Sequence, residues 1–260
     1  MLTLMNDQFF LSLIAGIFVG GVSGYLGSLM ITKRMALVGD ALGHIALPGI
    51  GLALLFHQNV SLGAFVFLFF GVLIIWAFEV RTFLPTELLV GVVFVISLAI
   101  GFLITPDHEL LEALFGDITR VSLHAAIAAV ILSLGTFFLL QRIYSDLLLA
   151  NISNDLAKVQ GVRVKANNFL FLLCIAIVVA LGIRITGSLL VGSLVIIPAA
   201  IAQNISRNLH GYIWWSVFFG IFGSVVGLFL YRQTGFPAGP LIILVSGSCF
   251  LVSLFFRRQS

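Results

Sequence analysis

An all-α fold, a polytopic bundle of eight to nine transmembrane helices, is what this sequence predicts, and three observations carry it. Of 260 residues, 61% are hydrophobic and only 9% charged, where soluble domains run near a quarter charged. The apolar residues gather into runs of about 20, the length a helix needs to cross a hydrocarbon core of roughly 30 Å. Glycine is abundant, at 26 residues, and small residues are what let helix backbones approach one another in lipid.

On that ruler the spans fall at 9–31, 37–56, 61–79, 87–105, 121–141, 167–185, 187–203, 212–231 and 239–256. The first run is too long and too glycine-rich for a cleaved leader, lacks a basic start and is preceded by Asp7, so it reads as a span. The pair around Arg184 has two readings. Either both segments cross, or they form one broken helix plus a re-entrant piece, because Gly187 and Pro198 interrupt them. The chain reads as a single transmembrane domain over 1–260.

Basic residues set the orientation. Lys33, Arg34, Arg81, Arg142, Lys158, Arg163, Lys165, Arg207, Arg257 and Arg258 fall on one side if nine segments cross, and Arg120, Arg184 and Arg232 on the other. The ten-to-three split predicts an outside N-terminus and a cytoplasmic C-terminus. The outer loop after the fourth span carries Asp107, Glu109, Glu112 and Asp117, read as a solvated acidic loop.

Several functions are excluded or left without support. A net charge of +3 spread over loops gives no nucleic-acid surface. No Gly-x-x-x-x-Gly-Lys-Ser/Thr phosphate loop occurs, so energy from ATP would have to come from another polypeptide. Cys174 and Cys249 lie in apolar runs and read as inert buried thiols.

The second span carries the unusual chemistry. It reads Met35-Ala-Leu-Val-Gly-Asp-Ala-Leu-Gly-His-Ile-Ala-Leu-Pro-Gly-Ile50. Asp40 and His44, four apart, project from one helical face. Ionisable groups inside a membrane are costly and mark a polar path or a partner. A hard carboxylate oxygen beside a neutral imidazole nitrogen suits a first-row divalent ion such as zinc or manganese. Gly39 and Gly43 repeat at a spacing that admits a neighbouring helix. Pro48 has no N–H to return to the His44 carbonyl, which predicts a free acceptor and a kink. Two other readings stand beside the metal one: Asp40 pairing with His44 or another helix purely for packing, and a proton relay in a secondary transporter. Two ligands do not complete a site; a symmetric dimer would bring two Asp and two His. An intramembrane metalloenzyme lacks a His-Glu-x-x-His motif or a further ligand set.

The cytoplasmic stretch at about 145–166 predicts a short helix. Ser153, Asn154 and Asp155 are helix starters and Gly161 is a helix end. Leu156, Val159 and Gln160 would face one way. So short a helix is unstable alone, so it either docks into a partner's groove or lies on the protein's own cytoplasmic face. Elsewhere, Gly16, Gly20 and Gly24 read as a packing seam, His57 and His124 as interfacial, and Glu87 as a helix-start acid. Pro198, in mid-segment, reads as a kink or a gate element.

Taken together, five motifs resemble the permease subunits of bacterial zinc, manganese and iron(II) ABC importers, most closely the zinc-uptake permease. They are Arg34 to Gly49, Leu114 to Ile118, Asn154 to Gly161, Leu190 to Ala200 and Phe236 to Pro240, in order along nearly the whole chain. The resemblance implies a homodimeric permease in the bacterial inner membrane. It would take metal from an extracytoplasmic binding protein and be driven by two cytoplasmic ATPase subunits. It has no permanent cofactor and no catalysis of its own; zinc is the expected cargo. It implies a transient metal site at Asp40 and His44, and coupling to the ATPase through Asn154, Asp155, Leu156, Val159 and Gly161. The family often has Pro-Ala-Ala-Thr-Ala-Arg where this chain has Pro198-Ala-Ala-Ile-Ala-Gln203, so no role is carried over to Ile201 or Gln203.

Overall fold

The computed structural model describes residues 2–82, 84–104, 122–188 and 190–256, and side chains from Gln8 onward except that of Arg184. The outer-loop acids, Arg120, Leu114 to Ile118, and Arg257 and Arg258 lie outside the described residues. Among the described residues there are eleven helices and no strand: α1 (Leu2–Thr32), α2 (Val38–Ile45), α3 (Leu47–Leu55), α4 (Val60–Arg81), α5 (Thr86–Ile104), α6 (Leu123–Ile152), α7 (Asn154–Val159), α8 (Val164–Thr186), α9 (Val191–Ile205), α10 (Leu209–Thr234) and α11 (Ala238–Leu254).

Among the described residues seven stretches are long and apolar enough to cross a membrane: Gln8–Thr32, Val38–Leu55, Val60–Arg81, Thr86–Ile104, Leu123–Ile152, Val164–Ile183 and Leu209–Thr234. The two remaining predicted spans are shorter apolar helices. α9 has 15 residues and α11 has 17. At 1.5 Å per residue α9 reaches about 22 Å, less than a hydrocarbon core of roughly 30 Å. Gly187, at φ +82, ends the preceding helix α8, α9 starts only at Val191 after Leu190, and Ser206, which is extended, ends it. Pro198 is buried inside α9 and the helix runs through it.

One predicted loop is corrected. Residues 142–152 continue α6 as helix rather than leaving the membrane as loop. Ile143 and Leu147 are buried on one face of this extension, and the Leu- and Ala-rich run favours helix.

The glycine seam of α1 packs against α10. A Cβ at Gly20 or Gly24 would run into the backbone of Gly220 or Ser216. Because Gly16 faces Leu228 and Gly24 faces Ser216, the two helices are antiparallel. Arg232 at the far end of α10 therefore lies over the Phe9 ring, 4.8 Å from its centroid. The opposite end gathers the predicted cytoplasmic cations. Lys33 donates to Asn168, and Lys165 donates to the Val80 carbonyl. Arg34 and Arg207 line one cleft of about 490 Å³. Gln203 lines the same cleft.

Outward-facing Phe70, Val95, Ile96, Ile131 and Phe138 are exposed. Around a soluble protein such faces would be an aggregation surface; around these helices lipid is the matching solvent.

Burial holds the Lys33 ammonium down to about 8, only partly restored by attraction from Glu79. The unfolded chain therefore binds more protons than the folded one between about 8 and the ordinary lysine value, and stability rises with pH across that window. Thermal unfolding in detergent should show a rising midpoint as pH is raised from about 8 towards 10, and Lys33→Met should flatten the rise.

Candidate metal path and coupling segment

The second predicted span is two helices joined at Ala46, which keeps helical angles of φ −70 and ψ −23. Pro48 sits in the first turn of α3 and cannot donate to His44, four residues earlier. The ladder is thus interrupted while the chain direction is nearly kept.

Asp40 lies in the first turn of α2 and His44 in its last. Both are half-buried. Among the described residues no hydrogen bond joins their side chains. The His44 ring stands 5.4 Å from the Phe94 ring of α5. Its Nδ1 is buried without a partner, leaving Nε2 as the accessible nitrogen. Among the described residues no three His, Cys, Asp or Glu side chains cluster as a metal site. Among the described residues this place therefore holds one carboxylate and one imidazole from the chain.

The segment that leads into α9 closes on this helix. A Cβ at Gly43 would sit 2.7 Å from the Ser188 carbonyl oxygen and 2.8 Å from Val191. Gly39 lies beside the Met30 methyl and the Cα of Gly192. From the other side, a Cβ at Gly192 would sit 2.7, 2.8 and 2.9 Å from the Cβ, Cα and N of Asp40. Glycine at 192 is what lets the α9 start press on the Asp40 backbone. Sequence reasoning missed Gly192; the only local signal is its place between two apolar runs.

The stretch expected to couple holds α7, six residues long. Ser153 caps it, its Oγ accepting from the Leu156 N–H at 3.3 Å. Asp155 sits in the first turn and Lys158 in the last, 3.5 Å apart. Gly161 follows at φ +78, a left-handed turn open to glycine. Ala157 is fully buried against the body, while Leu156 and Val159 are 55% and 86% exposed and Ile152 is 80% exposed. The helix thus lies on its own protein by one face and leaves an apolar face outward.

Sequence reasoning also missed a polar network at this end. Asn168 accepts from Lys33 at 2.8 Å and donates to Glu79 Oε1 at 2.9 Å. Thr86 donates to the same oxygen at 2.9 Å. A cleft of about 280 Å³ touches Lys33, Met35, Thr86, Glu87, Asn154 and Asn168. Glu87, read as a helix-start acid, faces this cleft.

Comparison with known proteins places these features in a family. The chain is 30% identical over 256 residues to the high-affinity zinc uptake system membrane protein ZnuB of Buchnera aphidicola subsp. Baizongia pistaciae, covering 96% of this chain and 98% of that relative. It is 28% identical to the manganese import system permease protein ScaB of Streptococcus parasanguinis, covering 94% and 89%. Among solved structures, PsaBC from Streptococcus pneumoniae in complex with Fab superposes with a TM-score of 0.81 at 28% identity, covering 98% of this chain and 96% of that one. The model of the ABC 3 transport family matches residues 5–257, and the chain belongs to that family.

Proposed function

We propose that this chain is the membrane permease subunit of an ATP-driven importer of divalent metal, with zinc as the cargo. The observation that carries the reading is the Asp40 and His44 pair on α2, half-buried and with no side-chain hydrogen bond among the described residues, in a chain matched end to end by a zinc-uptake membrane protein. In this reading the chain works as a homodimer in the bacterial cytoplasmic membrane, N-terminus outside. An extracytoplasmic protein delivers the ion and two ATP-binding subunits on the cytoplasmic side supply the energy.

Asp40 and His44 act as transient ligands. Two donors per chain give a site that captures the ion and still releases it, which transport requires. A second copy would complete the four positions zinc prefers. Gly39 and Gly43 let the α9 start pack close, and Pro48 and Pro198 interrupt the helix ladders beside the path. Manganese is the second reading, favoured by the ScaB relative at nearly the same identity.

The test is uptake by the complex reconstituted in liposomes, with zinc, manganese and iron(II) in competition. Zinc uptake that needs both ATP and the ATPase subunits is expected. Preference for manganese would move the cargo assignment, and uptake by the permease alone would replace this reading with a secondary transporter.

Asn154, Asp155, Leu156, Val159 and Gly161 form the docking element for the ATPase. Leu156 and Val159 supply its apolar contact. Burying such a side chain stabilises by roughly 1.5–3 kcal/mol, so Leu156→Asp with Val159→Asp should weaken binding of the ATPase subunit by at least about 30-fold. Co-purification at graded concentrations measures it.

A further inference from the structure

The short elbow between α1 and α2, residues 33–37, delivers the chain into the helix that carries Asp40 and His44. Two asparagines hold it, and they bracket the coupling helix α7. Asn151 lies just ahead of α7 and donates through Nδ2 to the Thr32 carbonyl at 3.0 Å. Asn168 lies beyond α7, near the start of α8, and its Oδ1 accepts from Lys33 Nζ at 2.8 Å. The other end of the same amide donates to Glu79 Oε1, so Asn168 bridges a cation on the elbow and an anion on α4. Thr86 of α5 donates to that carboxylate too, and Lys33 also lies 5.1 Å from the Phe171 ring centroid.

The elbow itself is tight. Met35 N–H donates back to the Met30 carbonyl at 2.8 Å, Arg34 holds φ +60, and Met35 and Val38 are buried. A tight elbow anchored by the buried Met35 passes displacement on rather than absorbing it. Asn151, Asn154, Lys33, Met35 and Asn168 also line one cleft, so the start of α7 and the elbow are neighbours in space.

We propose that Asn151 and Asn168 are positioning residues that clamp the coupling helix to the α1–α2 elbow, so that movement of α7 is transmitted to Asp40 and His44. The proposal rests on the permease reading above and deepens it by assigning the link between energy input and metal site. One gripping point is neutral, the Asn151 amide on the Thr32 carbonyl; the other is charge-assisted, the Asn168 amide set between the Lys33 ammonium and the Glu79 carboxylate.

The experiment measures zinc uptake and ATP hydrolysis in the same liposomes holding the permease with its ATP-binding subunits. Asn151→Ala combined with Asn168→Ala should lower the zinc moved per ATP by about fivefold or more, with ATP hydrolysis retained. Lys33→Met should behave likewise, and Lys33→Arg, which still donates to Asn168, should keep the ratio. Asn204→Ala serves as the structural control. It deletes a comparable inter-helix bond, Asn204 Nδ2 to Ser253 Oγ at 2.9 Å, and should leave the ratio unchanged. Where an alanine variant does not accumulate, Asn168→Asp keeps the side-chain size, loses the donor to Glu79 and should lower the same ratio. An unaltered ratio in the clamp variants, or an equal loss in Asn204→Ala, overturns the clamp. Wild-type vesicles that take up no zinc with ATP would instead overturn the permease reading itself.

Discussion

Asp40→Asn and His44→Ala are each expected to cut zinc uptake by at least about tenfold, since even outer-shell changes cost a metal site about 10–100-fold. The two readouts of these variants should move in opposite directions. Asp40 has no side-chain hydrogen bond among the described residues and sits in the first turn of an apolar helix, and a carboxylate in such a helix is costly to insert. Neutralising it should leave insertion and thermal stability equal or better. A packing role predicts the reverse, with stability lost and uptake reduced only in proportion to protein amount. Uptake of labelled zinc, normalised to permease quantity and set beside a melting curve in detergent, separates the two. Unchanged uptake in both variants would remove Asp40 and His44 from the path.

Gly192→Val should disable the path without touching a ligand. The first atom of the new side chain would fall inside 3.0 Å of three atoms of Asp40, two of them backbone. Backbone cannot swing aside as a side-chain tip can, so either the start of α9 lifts or α2 is displaced. Overpacking of this kind costs about 1–3 kcal/mol. A displaced Asp40 should lower uptake nearly as far as Asp40→Asn does, together with a reduced melting temperature. Gly135→Ala and Gly247→Ala are the comparison, because no atom lies within 4 Å of a Cβ at either position. Equal uptake in Gly192→Val and wild type would show that the α9 start does not hold α2.

Most of the helical plan was legible because lipid imposes a length on every crossing helix, and the apolar runs display it. The break in the second span was readable from Pro48, and the short helix α7 from Ser153 at one end and Gly161 at the other. The extension of α6 through 142–152 was not. Arg142, Tyr144 and Asp146 look like loop chemistry, and the helix continues because Ile143 and Leu147 find a buried face. The shortness of α9 was half legible, since Gly187 was noticed but its left-handed angle was needed to place the break. Asp40 and His44 stood out as local oddities on one helix face. The residues that hold them did not. Lys33 and Asn168 are separated by 135 positions and Asn168 and Glu79 by 89, and an asparagine pair at a helix start looks the same whether it meets water or a half-buried lysine. Gly192 was hidden for the same reason: a glycine declares a close approach only when its neighbour is known.

The length of α1 has a mechanical meaning. Its 31 residues make a rod of about 46 Å, seamed by glycines to α10 along its length and ending in the tight elbow before Asp40. Such a rod is stiff from the rim where Phe9 and Arg232 meet to the inner end where Thr32 is gripped. Tilting either tip swings the other. The end of α1 beside Phe9 and Arg232 and the start of the helix that carries Asp40 thus belong to one nearly continuous piece of chain, joined only by the elbow.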